Sequence, residues 1–258
     1  MNDELRGVIA APISDSRFQR QCQASLERDG YVRLDRFLSE RALHDIRQDS
    51  VSRCAQVYYC KQQHNVFLTT PDAAQNSEHP SNRFVESSKG NLTDDQIPVD
   101  SPLRKIYDAA VFREFLRKVL SEPALHKYAD PLSSINVHFA NDGQELGWHF
   151  DNSSFAVTLL IQAPQAGGEF QYVRDVRKSA LGTCDAVRLN RVLDGTLEPE
   201  TLQLDAGTLL LFRGRDTLHR VTPVIGETPR LLSVLAYNAE PGVALSETAR
   251  MTFYGRLT

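Results

Sequence analysis

The sequence predicts an α+β fold, a mainly helical first half supporting an antiparallel β jelly roll. Two observations carry this. Before about residue 130, apolar residues recur at helical spacing. From 131 onward the chain breaks into short apolar or β-branched runs punctuated by Gly, Pro, Asn and Asp. Their fairly even spacing is that of a sandwich or barrel. One unit is expected over 1–258: helical support and loop over 1–130, jelly-roll core over 131–240, and a C-terminal segment over 241–258.

Each element has its own signal. Ser16 is placed to cap a helix through Arg28, stopped by Asp29-Gly30. Tyr31, Val32 and Leu34 read as a short strand. Ser39 is an N-cap for a helix from Glu40 to about Val57, with Leu43, Ile46 and Val51 along one stripe. Residues 102–127 read as helix, through Leu103, Ile106, Tyr107, Val111, Phe115, Val119 and Leu120. Between these, 61–100 is polar and turn-rich, the pattern of a mobile loop over a site or of a plain surface excursion. The strands expected after 131 are INVHFA, FAVTLLIQA, GEFQYV, TLQL, GTLLLFRG, HRVTPV and RLLSVLAYN.

Composition narrows the function classes. Of 258 residues, 29 are Lys or Arg and 33 are Asp or Glu, a net charge of −4 that argues against nucleic-acid binding. No apolar run approaches the roughly 18 residues a bilayer span needs, and the opening MNDELRGVIAAPISDSRF does not read as a signal peptide. The scattered cysteines Cys22, Cys54, Cys60 and Cys184 form no CxxC pair, so a reduced, cytoplasmic setting is expected. No nucleic-acid or membrane partner is therefore expected.

The chemistry centres on Trp148-His149-Phe150-Asp151-Asn152. Residues i and i+2 of a strand share a face, so His149 and Asp151 can aim at one point. His219 lies on a later strand in LFRGRDTLHRV. Two histidines and one carboxylate are the facial triad of non-haem Fe(II) oxygenases. They leave adjacent positions for a bidentate α-keto acid and O2. An H-x-D alone arises often by chance; Arg230, eleven residues after His219, raises its weight. If the 226–229 turn joins neighbouring antiparallel strands, both residues face the barrel interior. A buried Arg needs a carboxylate, which the distal end of 2-oxoglutarate supplies through a bidentate fork.

The run HFD…H…R, with GTLLLF ahead of the second His, resembles the Fe(II)/2-oxoglutarate-dependent dioxygenase superfamily. LERDGYVRLDRFLSERALHDIR resembles its phytanoyl-CoA-dioxygenase-like and prolyl-hydroxylase-like members. GWHFDNSSFAVTLLIQ and GGEFQYV are similar to a bacterial subgroup of free-amino-acid halogenases and hydroxylases. The resemblance covers about 20–240. It implies a double-stranded β-helix, iron on His149, Asp151 and His219, and 2-oxoglutarate on Arg230. Many phytanoyl-type members carry Ser two residues after the distal His. Val221 stands there instead, with Thr222 beside it, leaving Thr158 or Asn136 as the alternative second contact. Halogenases of this kind replace the carboxylate ligand with Gly or Ala, and Asp151 is retained here. Hydroxylation of an unactivated C–H, with succinate and CO2 released, is therefore expected, with desaturation or rearrangement also open to the same triad.

Substrate contacts are expected from Arg83 in HPSNRF, a carboxylate clamp or a solvated loop residue, and from His138 and Asn152. Trp148 alternates away from His149 and is expected in the core. Glu169 is either inward or on a hairpin surface; Tyr237, Asn238 and Tyr254 are placed to close the site from the side. A peptidyl or nucleobase oxygenase, a non-catalytic cupin-like binding protein and a zinc hydrolase compete. The last two give Arg230 no role.

Overall fold

The computed structural model describes residues 5–258. The helices are α1 (Ser16–Asp29), α2 (Glu40–Ser52), α3 (Pro102–Asp108), α4 (Ala110–Leu120), α5 (Ala186–Leu193) and α6 (Glu247–Tyr254). The main strands are β1 (Tyr31–Leu34), β2 (Tyr58–His64), β3 (Val85–Leu92), β4 (Ile135–Ala140), β5 (Leu146–His149) and β6 (Ala156–Gln162). They continue as β7 (Phe170–Val173), β8 (Glu200–Leu202), β9 (Leu209–Phe212), β10 (Leu218–Val221) and β11 (Arg230–Leu235). The jelly-roll strands fall where the apolar runs place them.

The helical half departs from expectation in its details. Asp15, not Ser16, caps α1, accepting from Phe18 N; Gly30, at φ 78, ends it. Ser39 caps α2 by accepting from Ala42 N, but that helix stops at Ser52, before a 3₁₀ turn at Cys54–Gln56. The 102–127 helix is two helices. Ala109 is extended (φ −61, ψ 120), so α4 is re-aimed and buries Phe112, Phe115, Leu116, Val119 and Leu120 as its own face. Ser121, at φ 59, ends α4, and Pro123 bars its continuation.

The larger correction lies in 61–100. Instead of a plain loop, it contributes most of an antiparallel hairpin, β2 on β3, joined to the sheet. Its sequence lacks an apolar face because polar residues such as Ser88 and Asn91 are buried there.

Eleven strands form one sheet in the order β1-β9-β6-β11-β4-β3-β5-β10-β7-β8, with β2 also on β3. Strand β3 pairs with β4 and, through Ser87 opposite Leu146, with β5, so the sheet curls from one half into the other. Alternation along β9 divides its two faces. Leu209 and Leu211 pack in the cluster containing Phe37, Ile46, Phe112 and Phe115, whereas Leu210 and Phe212 join Phe170 and Tyr172. Trp148 is buried with Phe150, Val173, Leu189 and Leu218, as expected.

The C-terminal helix is tied to the barrel. The Asp130 carboxylate accepts from the backbone N–H of Leu132, Ser133 and Leu245 and from Arg250 Nε at 2.8 Å. At the other end of α6, Tyr254 donates to Asn136 Oδ1 at 2.9 Å. Among the described residues no helix is long and apolar enough to cross a membrane.

Candidate active site

His149 ends β5 and His219 lies on β10, as direct cross-strand partners with ring centroids 4.3 Å apart. Beyond His149 the chain is pinned by two backbone bonds, Phe150 N to Val66 O and Asp151 N to Gly214 O. These hold Asp151 beside the rings. Its Oδ1 lies 3.6 Å from both His149 Nε2 and His219 Nε2. That is beyond hydrogen-bonding distance, and buried Oδ2 has no partner either. A buried carboxylate left so is costly unless a cation joins it. One ligand atom from each residue lies within 4.8 Å of the others, and an N,N,O donor set fits a first-row divalent ion such as iron.

The histidine tautomers follow from the backbone. His149 Nδ1 donates to Gly147 O and His219 Nδ1 to Thr217 O, each at 2.8 Å. A carbonyl only accepts, so each Nδ1 carries the hydrogen and each Nε2 presents a lone pair. Phe170 stacks on the His219 ring and Phe212 meets it edge-on, leaving it 4 % exposed. Burial, and then the neighbouring His219, lower the His149 pKa. Burial alone pushes Asp151 up, but the two histidines together outweigh it and hold the carboxyl well below its usual range.

Arg230 is 5 % exposed, on β11 between β4 and β6. It is not on a strand neighbouring His219, a correction to the hairpin expectation: β10 lies in the other half of the sheet. The short stretch between them, Val224–Ile225, pairs instead with Ala166–Gly167. Burial lowers the Arg230 pKa to about 10. Among the described residues none gives its guanidinium a hydrogen bond or ion pair. Gly168 leaves the space; a Cβ there would stand 3.0 Å from Arg230 Cδ.

A cavity of about 280 Å³ reaches Asp151. Asn136, His138 and Asn152 line it, as do Tyr237 and Tyr254. Arg83 does not. Its guanidinium pairs with Asp194 at 2.7 Å and donates to Asn190 Oδ1, fastening the segment before β3 to α5. Thr158 is buried and donates to Leu210 O at 3.3 Å. Both amide donors of Asn136 are taken, by Leu132 O and Ile135 O. Glu169 is exposed, and Asn238 caps a turn by accepting from Glu240 N. Sequence reasoning missed Lys89, Phe253 and Gly214. Lys89 and Phe253 line the cavity, and Gly214 abuts the Asp151 carboxylate. Lys89 lay in the segment read as loop, where no apolar periodicity marks its strand.

A family model described as Halogenase D matches residues 14–252. The chain belongs to the Halogenase D family. No curated protein matches it. Solved structures similar to this Halogenase D family member include an oxidoreductase of the 2OG-Fe(II) oxygenase family from Burkholderia pseudomallei, with a TM-score of 0.53 and 14 % identity. The match covers 87 % of this chain and 92 % of that one. The α-ketoglutarate-dependent epimerase SnoN from nogalamycin biosynthesis matches with a TM-score of 0.59 and 16 % identity, over 87 % and 82 % of the two chains. HygX from Streptomyces hygroscopicus, solved with nickel, 2-oxoglutarate and hygromycin B, matches with a TM-score of 0.55 and 13 % identity, over 85 % and 86 %. At these identities the likeness establishes the fold, the double-stranded β-helix shared by 2OG-Fe(II) oxygenases.

Proposed function

We propose that this chain is an Fe(II)- and 2-oxoglutarate-dependent oxygenase. It hydroxylates an unactivated C–H bond of a free amino acid or similar small metabolite. The observation that carries this is the pairing of an intact His149–Asp151–His219 cluster with Arg230, a buried cation that no described residue neutralises. A ferrous ion held by the three cluster residues would supply, with 2-oxoglutarate and O2, the oxidant for C–H hydroxylation, one oxygen atom going to the substrate and the other to the succinate formed with CO2.

The chain's own residues hold and orient. His149, Asp151 and His219 hold the iron, with Nε2 set by the bonds to Gly147 O and Thr217 O. Arg230 takes the distal carboxylate of 2-oxoglutarate. Of the two candidate second contacts, Thr158 is the better one. Its bond to Leu210 O is long, whereas Asn136 has no free donor. His138 and Asn152, on the cavity wall, face the substrate.

The family description favours halogenation, and Asp151 stands against it, because halogenases of this kind carry Gly or Ala where this chain keeps a carboxylate. Four free cysteines support a reducing, cytoplasmic setting. The test is a screen of free amino acids for stimulated succinate release, with product masses read in chloride buffer. An oxygenated product supports the reading. A chlorinated main product overturns hydroxylation, and absence of succinate with every substrate overturns the oxygenase.

A further inference from the structure

Among the described residues lining the cavity, Lys89 is the only Lys or Arg, and Asp151 is the only acid. Asp151 is committed to the metal cluster. Lys89 Nζ lies 3.3 Å from His138 Nε2 and 5.6 Å from the centroid of the Phe253 ring. An ammonium only donates, so His138 accepts through Nε2 and is neutral. Its Nδ1 is then a buried donor without a partner. His138 is held well below its ordinary pKa by burial first, then by Lys89 and Arg230. Burial brings Lys89 itself down to about 8.

The strand register places a second cation beside this one. Gly90 pairs with Phe139, so Lys89 falls level with Ala140, which pairs on its other side with Arg230. Directly opposed residues share a face. Lys89 and Arg230 therefore flank β4 on the inner face of the barrel, with neutral His138 near both. Both cations are partly desolvated, and the one acid of the cavity wall that acts on Lys89, Asp151, is already committed to the metal cluster. One carboxylate on Arg230 neutralises only one of them.

We propose that Lys89, braced against His138, is a second carboxylate anchor of this barrel, the counterpart of Arg230 across β4. Two sources share that chemistry: the primary substrate and the end of 2-oxoglutarate nearer the metal. In either case the cavity favours an anionic group over a cationic one, since it offers no second acid to a basic side chain. The inference rests on the oxygenase reading only for the 2-oxoglutarate source.

The experiment uses the full chain loaded with redox-inert, diamagnetic Zn(II), so that no turnover occurs. The wild type, Lys89→Met and Lys89→Arg are titrated calorimetrically with 2-oxoglutarate, and with butyrate against neutral butyramide. If the substrate supplies the carboxylate, the wild type binds butyrate at least about tenfold tighter than butyramide. Lys89→Met abolishes the preference and Lys89→Arg keeps it. If 2-oxoglutarate supplies it, Lys89→Met weakens 2-oxoglutarate binding by about tenfold or more and Lys89→Arg restores most of it. A folded Lys89→Met protein with both affinities within about twofold of wild type overturns the proposal. Should Lys89→Met not fold, the ¹⁵N resonance of the wild-type Lys89 ammonium decides. A shift with 2-oxoglutarate or butyrate but not butyramide supports the anchor, and no shift with either overturns it. Wild-type protein that binds butyrate through Lys89 but never 2-oxoglutarate would sink the oxygenase reading and leave the anchor standing.

Discussion

Gly214 lies where only a hydrogen atom fits against the Asp151 carboxylate. A Cβ built on it would overlap Asp151 Oδ2 and crowd its Cγ, while the Gly214 carbonyl accepts the Asp151 N–H. The same residue thus tethers the backbone of the acid and leaves room for its side chain. Gly214→Ala is expected to displace the carboxylate. Metal affinity should fall by about 10–100-fold, the usual cost of disturbing a ligand's support, with little change in melting temperature of the metal-free protein. Metal titration of the two proteins checks it.

Arg230 should govern the affinity for 2-oxoglutarate. Losing one partner of a buried, hydrogen-bonded charge pair costs about 2–5 kcal/mol, or roughly 30-fold or more in binding. Arg230→Met is expected to raise the KM for 2-oxoglutarate by that factor while leaving metal affinity near wild type. An unchanged 2-oxoglutarate dependence would show that the buried guanidinium serves another anion.

Metal should stabilise the folded chain. An ion held at 100 times its Kd adds about 2.7 kcal/mol. Removing it with a chelator should lower the wild-type melting temperature by the corresponding amount. His219→Ala, lacking one of the three ligands, should melt at the same temperature with and without metal. Differential scanning calorimetry reads both.

Asp130 predicts how the fold responds to acid. Burial alone would raise its pKa, but the backbone N–H of Leu132 and the guanidinium of Arg250 lead the bonds that outweigh burial and hold it below the ordinary value. A depressed carboxyl contributes its stability above the unfolded pKa of about 3.9 and loses it as pH falls through the folded pKa. Breaking such a buried pair costs about 3–5 kcal/mol, so Asp130→Asn should be destabilised by that order at pH 7. The gap to wild type should narrow below about pH 4. Urea melts across this range measure it.

How much of this was legible in the sequence depended on how local each signal was. The jelly-roll strands announced themselves because β6, β9 and β11 are apolar runs buried on both faces, such as Leu209 to Phe212. His149 and Asp151 were legible as a two-residue spacing, but the strand ends at His149, and the bonds of Phe150 N to Val66 O and Asp151 N to Gly214 O, not strand alternation, set the acid beside the rings. The hairpin of β2 and β3 was not, since Gln62, Ser87 and Lys89 carry no apolar alternation. Its place is set by pairing with β4, a long-range event. Arg83 misled for the same reason: Asp194, which occupies it, lies more than a hundred residues away. Gly214 was invisible because its need for smallness arises only once Asp151 folds against it.

The two Nδ1 bonds to carbonyls have one more consequence. Each ring is steered by a carbonyl two residues upstream in the chain, Gly147 within the strand of His149 and Thr217 just before that of His219, not by a distant side chain. The aim of both lone pairs is therefore built in as soon as the strands form, whether or not an ion has arrived. Loading becomes a docking event onto a finished socket. A protein stripped of its metal should refill on simple addition of the ion, without unfolding, in contrast to small domains that owe their fold to the metal.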